Sequence, residues 1–206
     1  MILKVNATRM ELLQMKKKLI IAKKGHKLLK DKEDELMRQL LEMIKSIREL
    51  RKEVENEISS VVGRYQFAKA SMNKETEDEI FLIPTKKINI SVRKKNLMSV
   101  RVPEFTKEVE GKIRSYGYAF TSGELDASLL ALDKIMEKVV SLAEKEKTIQ
   151  LLADEIEKTR RRVNALEYIM IPNIEDTIKY ISQRLAEMER SNTTRLMKVK
   201  DIVRAH

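Results

Sequence analysis

Along the first third of the chain, mostly apolar residues recur at alternating steps of three and four. The series runs Leu12, Met15, Leu19, Ala22, His26, Leu29, Glu33, Leu36, Leu40, Met43, Ile47, Leu50 and Val54, with His26 and Glu33 as its polar members. A repeat of about 3.5 residues marks a coiled-coil seam rather than a surface helix on a globule. Ile58, Val61, Tyr65, Ala68 and Met72 continue the series after two consecutive steps of four. Such a stutter locally unwinds a supercoil. Thr8 and Glu11 stand at capping-box spacing ahead of the run. The pattern therefore predicts one helix of roughly 100 Å at about 1.5 Å per residue.

A second series begins after Thr121-Ser-Gly-Glu124, again at capping-box spacing. It passes through Leu125, Leu129, Leu132, Met136, Val139, Leu142, Ile149, Ile156, Val163, Leu166, Met170, Ile174 and Ile178. It then continues through Ile181, Leu185, Met188, Asn192, Arg195, Val199 and Ile202. Pro172 alone interrupts it, and a proline inside a helix costs about 3 kcal/mol through a lost donor and a clash. The series crosses that point in steps of four, which predicts a bend at Pro172 with Met170, Ile174 and Ile178 keeping the packing intact. An antiparallel partner brings Gly25 opposite, where a missing side chain would admit the bent backbone.

Between the two series the period changes. Ile88-Asn-Ile-Ser-Val92 and Ser99-Val-Arg-Val102 alternate apolar and polar around Arg93-Lys-Lys-Asn96, which predicts a β-hairpin over about 88–102 with its turn at 93–96. Pro84 and Pro103 bracket it, and Gly111, Gly117 and Gly123 frame a short helix near 104–115. The expected fold is mainly α: a long antiparallel two-helix coiled coil with a small head containing a short β-hairpin and a short helix. The corresponding divisions are 1–72, 73–120 and 121–206. Each helix of this polarity needs the other to cover its apolar stripe.

Composition agrees. Charged residues make up 36% of the chain and aromatics 4%, with no Trp, which suits slender helices with little interior. The charge is uneven. Residues 1–30 carry nine Lys/Arg against Glu11, and residues 190–206 carry five against Asp201, so these two stretches exceed the whole-chain net of +10. Antiparallel pairing would bring both basic stretches together. Cysteine is absent, which removes disulfides and thiolate metal sites. The N-terminal residues lack the apolar core of a signal peptide, and no apolar run is long enough to span a membrane.

No catalytic, metal or cofactor constellation is found. His26 lies in the seam phase, and His206 is the other histidine, so a histidine metal site has no second ligand nearby. Gly111-Lys-Ile-Arg lacks the earlier glycine and following Ser/Thr of a phosphate loop. Glu33 is expected either solvated at a gap or paired with one of Arg160, Arg161 and Arg162. The basic stretches admit three readings from the residues alone: a nucleic-acid-binding helical arm, insertion into an acidic protein cavity, or a plain solvated face. Aromatics for base stacking are lacking there. A homodimeric coiled-coil scaffold is a further alternative.

The segment RRRVNALEYIMIPNIEDTIKYI, Arg160–Ile181, together with AKKGHKLLKDKEDEL, Ala22–Leu36, resembles the D subunit of the V-type and archaeal-type ATPase/ATP synthase. Within the motif, Arg161, Arg162, Asn164, Glu167 and Pro172 carry the match. The resemblance covers the whole chain and implies a non-catalytic central rotor shaft without cofactor. It implies as partners the catalytic A and B subunits, the F subunit, and the d-like C subunit linking to the membrane rotor ring. It implies a cytoplasmic location peripheral to the membrane, with no direct nucleic-acid role. The hairpin, Ile88, Ile90, Val92, Val100 and Val102, is then the part linked to stimulation of ATPase activity. Lys16, Lys17, Lys23, Lys24, Arg195 and Lys198 are the residues expected to touch the A/B ring. Ion specificity and the direction of the cycle are set in other subunits.

Overall fold

A computed structural model describes residues 5–82, 85–114, 116–117 and 121–205, the side chains of Thr76 and Ala205 aside. The elements are α1 (Arg9–Ala70), α2 (Lys74–Leu82), β1 (Lys87–Leu97), β2 (Val100–Glu110) and α3 (Gly123–Ala165). A single π-helical turn, Leu166–Met170, then leads into α4, Ile171–Ala205. The fold is mainly α, with a helical hairpin, a short helix and one two-stranded antiparallel sheet. The chain divides into two compact units: a terminal unit of residues 1–35 and 156–206, and a middle unit of residues 36–155.

Thr8 caps α1 as its spacing predicts. Its carbonyl accepts the Leu12 amide at 3.0 Å and its hydroxyl accepts the Glu11 amide at 3.3 Å. At α3 the cap falls one residue later than the expected Thr121: the Ser122 hydroxyl accepts the Glu124 amide at 3.3 Å. Thr121 instead donates to the Gly117 carbonyl at 3.4 Å.

In the terminal unit α1 runs antiparallel to α4. Arg9 meets Glu189 at 2.5 Å and Lys23 meets Glu175 at 2.8 Å, fourteen residues onward on one helix and fourteen back on the other. Met15 and Ala22 of α1 and Ile174, Thr177 and Ile181 of α4 are buried in this unit. In the middle unit α1 runs antiparallel to α3, with Lys138 2.6 Å from Glu57 and Arg51 3.8 Å from Glu146. Val54, Val61 and Ile135 form a buried cluster there, flanked by Leu50, Ala131 and Val139.

The α1 series is buried or half-buried as predicted, except Ile58, which is exposed. On α3 the expected series fails in part. Leu132 is exposed, while Ser128, Thr148 and Thr159 are buried with Ile135 and Leu152. The hydroxyls explain it: Ser128 donates to Leu125 O at 2.7 Å and Thr148 to Glu144 O at 2.9 Å. Thr177 of α4 does the same to Asn173 O at 2.6 Å. With its polar atom satisfied by its own helix, such a side chain packs much as valine does. Asn192, Arg195, Met188, Val199 and Ile202, expected in the seam, are all exposed. Helix α1 begins at Arg9, opposite Glu189, so the turns of α4 after Glu189, unlike that of Met188, have no described α1 turn beside them.

Pro172 is accommodated by the π turn. Ile171 donates its backbone N–H to Leu166 O, five residues back, so the helix widens just before the proline. The carbonyl with which the pyrrolidine ring would collide is that of Tyr168, inside the widened turn. Met170 does not carry the packing as expected; it is 50% exposed, with Tyr168 and Ile169 more so. Burial instead resumes at Ile174 after Val163. The π turn lies between those two residues. Gly25 has no part in it: a Cβ placed there would meet nothing within 4 Å.

The hairpin is longer than expected, and its turn lies elsewhere. Lys87 pairs with Glu110 and Leu97 with Val100, so the turn is Met98-Ser99 rather than 93–96. Met98 has φ 48° and Ser99 φ 73°, as a two-residue type I′ turn requires. The helix expected at 104–115 is absent because β2 occupies Val100–Glu110; the short helix is α2, before the hairpin. Pro103 does not bracket the hairpin but lies within β2, opposite Lys94. Counting from the closing pair, that is a position whose N–H would point away from β1, so no ladder bond is lost. Pro84 lies outside the described residues. Gly111, at φ +90°, ends β2 where a Cβ would collide with the Thr85 carbonyl.

Candidate contact surfaces

The terminal unit carries the six expected cations. Lys16, Lys17, Lys23 and Lys24 are exposed on α1, and Arg195 and Lys198 are exposed on α4. They differ in availability, since Lys23 is held by Glu175 at 2.8 Å. Arg195 and Lys198 share one shallow face of α4 with Glu187, Arg190, Ser191 and Thr194. Between the α1 lysines, sequence reasoning missed an apolar row: Leu13, Ile20, Ile21 and Leu28 are each more than half exposed. Their off-phase positions were the signal, because a two-helix seam has no use for them. The surface is therefore mixed, with cations interleaved with aliphatics.

The motif residues have separate places in this unit. Glu167, in the π turn, has Oε2 3.3 Å from His26 Nε2 across the two helices. His26 thus keeps its seam position through a polar partner. Arg161 binds Glu157 one turn back on its own helix, and Arg160 and Arg162 are exposed, so the expected Glu33 pairing does not recruit Arg161. Asn164 and Pro172 are exposed.

The hairpin, in the middle unit, lies against α3 through β2 and through the start of β1. Lys86 pairs with Asp133 and Lys107 with Glu137 at 2.5 Å. The Phe105 amide donates to Glu144 Oε2 at 3.2 Å. Asp133, Glu137 and Glu144 recur at helical spacing and so present one acidic face to the hairpin. Val100 and Val102 are buried, Ile88 is half-buried, and Ile90 and Val92 are 49% and 58% exposed. The five expected hairpin residues thus divide into an anchored group near the turn and an uncovered group in β1.

Near the hairpin, α2 is fixed to the end of α1. Glu77 accepts from the Tyr65 hydroxyl at 2.5 Å and from Lys69 Nζ at 2.8 Å, and Phe81 packs edge-on to Tyr65 with ring centroids 6.0 Å apart. The hydrogen bond from Lys69, then that from Tyr65, holds the Glu77 carboxyl below its ordinary value. Reciprocally, Glu77 raises the Lys69 ammonium and the Tyr65 phenol above theirs.

The family of ATP synthase D subunits matches residues 11–201, both helical arms and the hairpin together. The chain belongs to that family. It is 51% identical over 201 residues to the V-type ATP synthase D subunit of a Thermoanaerobacter species, covering 97% of this chain and 96% of the relative. It is 52% identical over 204 residues to the protein of the same name from Fusobacterium nucleatum, covering 98% and 97%. Against that of Clostridium novyi it is 52% identical over 206 residues, covering 98% and 95%. Family membership spans the π turn and the hairpin alike, so both belong to the matched region. No helix among the described residues is long and apolar enough to cross a membrane.

Proposed function

We propose that this chain is the non-catalytic central shaft of a V-type rotary ATP synthase. It carries torque between the ring of A and B subunits, where ATP is hydrolysed or made, and the membrane rotor ring. The observation that supports this most is the match of residues 11–201 to the family of ATP synthase D subunits. Physical properties of each unit fit the role. Antiparallel seams pinned by interhelix pairs such as Lys23–Glu175 and Lys138–Glu57 oppose sliding of one helix past the other. Exposed Lys16, Lys17, Lys24, Arg195 and Lys198 give attraction at long range with weak contacts, since exposed ion pairs contribute only about 0–1 kcal/mol. A turning surface needs contacts that exchange readily among the repeated A/B pairs.

In this reading the terminal unit sits within the A/B ring on the cytoplasmic side of the membrane. The F subunit and the d-like C subunit are the further partners, with the latter linking to the rotor ring. The hairpin, including Ile88, Ile90, Val92, Val100 and Val102, stimulates ATP hydrolysis. The test is assembly with purified A/B ring at rising salt. Reversing Lys16, Lys17 and Lys24 to Glu should slow association strongly at low salt and much less at high salt. Association that is indifferent to these charges at every salt concentration contradicts the proposed contact.

A further inference from the structure

The two edges of the hairpin are not alike. The outward side of β2 is closed over its middle: Pro103 offers no donor, and the next outward amide, Phe105, is taken by Glu144 at 3.2 Å. The outward side of β1 is open. Among the described residues the sheet has two strands, and residues 89–96 of β1 are all exposed. By the alternation set at the Leu97–Val100 closing pair, the amides of Ile90 and Val92 point away from β2. Among the described residues neither makes a hydrogen bond.

Proteins protect such an edge with charge, proline or a bulge. The stretch Ile88-Asn-Ile-Ser-Val92 has none of these: it carries no charge, no proline and an unbroken register. Charge is placed beyond it instead. Arg93 stands opposite Glu104, but Lys94 stands opposite Pro103 and Lys95 opposite Val102, so neither lysine has a carboxylate across the strand. Neither forms an ion pair among the described residues. An edge with open amides, exposed Ile90 and Val92 and two unmatched cations at one end specifies its complement.

We propose that β1 receives an extended polypeptide segment of a partner protein as a third strand, antiparallel to β1. That segment is uncharged opposite Ile88–Val92 and acidic at its N-terminal end, opposite Lys94 and Lys95. Main-chain hydrogen bonds to Ile90 and Val92 supply binding, and the acidic end sets direction and register. This inference stands on the hairpin's own geometry and does not require the shaft reading.

The experiment uses the full chain and a synthetic peptide of three glutamates followed by alternating threonine and valine. Amide hydrogen exchange is followed residue by residue, with peptide binding read by fluorescence anisotropy. Saturating peptide should slow exchange at Ile90 and Val92 by more than about tenfold while Ser91, already in the ladder, changes little. Lys94→Glu with Lys95→Glu should weaken binding roughly fivefold. Ile90→Pro should abolish binding while Ser91 stays protected, since β2 already holds a proline at an outward position. Unchanged exchange at Ile90 and Val92 in millimolar peptide overturns the proposal, as does undiminished binding to Ile90→Pro. Either result would make β1 an edge that needs no partner.

Discussion

Ile171 donates its backbone N–H to the carbonyl of Leu166, five residues back, and by doing so inserts one extra residue into the helix just before Pro172. Buried residues flank this turn on both sides. Ile156, Thr159 and Val163 precede it, and Ile174, Thr177 and Ile181 follow it. We attribute the insertion to the packing of these two groups and not to the proline alone.

That attribution predicts an unusual tolerance. Pro172→Ala alone restores one donor, worth about 1 kcal/mol net. Closing the π turn would rotate Ile174 and Ile181 out of the seam, at roughly 1.5–3 kcal/mol for each large side chain exposed. The π turn should therefore persist in Pro172→Ala, with stability unchanged or raised slightly. Deleting exposed Ile169 in the same background should give an unbroken α-helix with the seam in phase, a deletion that helices seldom accept. Crystal structures and thermal melts of both variants check this. Closure of the π turn in Pro172→Ala alone would show that the proline, not the seam, demands the turn.

Gly25 provides a second test. It lies inside α1, and a Cβ there meets open space within 4 Å. Gly25→Ala should stabilise the chain by about 0.5–1 kcal/mol, the ordinary helix difference between the two residues. Denaturant melts read this directly. A destabilised variant would mean that the backbone approaches more closely than the structure has it.

The junction of α2 with α1 should respond to pH in a defined direction. Glu77 has its folded-state pKa lowered, so its contribution is fully present above the ordinary glutamate value of 4.5. It is lost as pH falls through the lowered value. Lys69 and Tyr65 have theirs raised from 10.5 and 10.0, so their share is present below those values and fades as pH climbs through the raised ones. Tyr65 ring resonances should report α2 docked across the neutral range and loosening at both extremes. Glu77→Gln should remove the acid transition. An acid transition unchanged in Glu77→Gln would assign it to other carboxylates.

Much of this architecture was legible in the residues, and the failures share a cause. The α1 series could be read because its seam members are almost all aliphatic. The α3 series could not, since Ser128, Thr148 and Thr159 are buried with polar side chains; Ser128 and Thr148 silence theirs on carbonyls of their own helix. The hairpin was visible in Ile88–Val92, but its turn was not. Met98 and Ser99 adopt positive φ without the Asn or Gly that signals a type I′ turn. Pro103 looked like a terminator because the side toward which its missing N–H would point depends on register. The cations were legible as charge, whereas the Glu144 bond to Phe105 arises only when β2 reaches α3.

The central claim is that this chain turns inside a ring of A and B subunits as its shaft. Single-molecule observation of a probe attached to the chain, in a surface-fixed A/B ring supplied with ATP, tests it most directly. The account predicts sustained rotation in one direction, with ATP hydrolysis by the ring and none by the chain alone. A ring that takes up the chain and hydrolyses ATP while the probe stays still would contradict it.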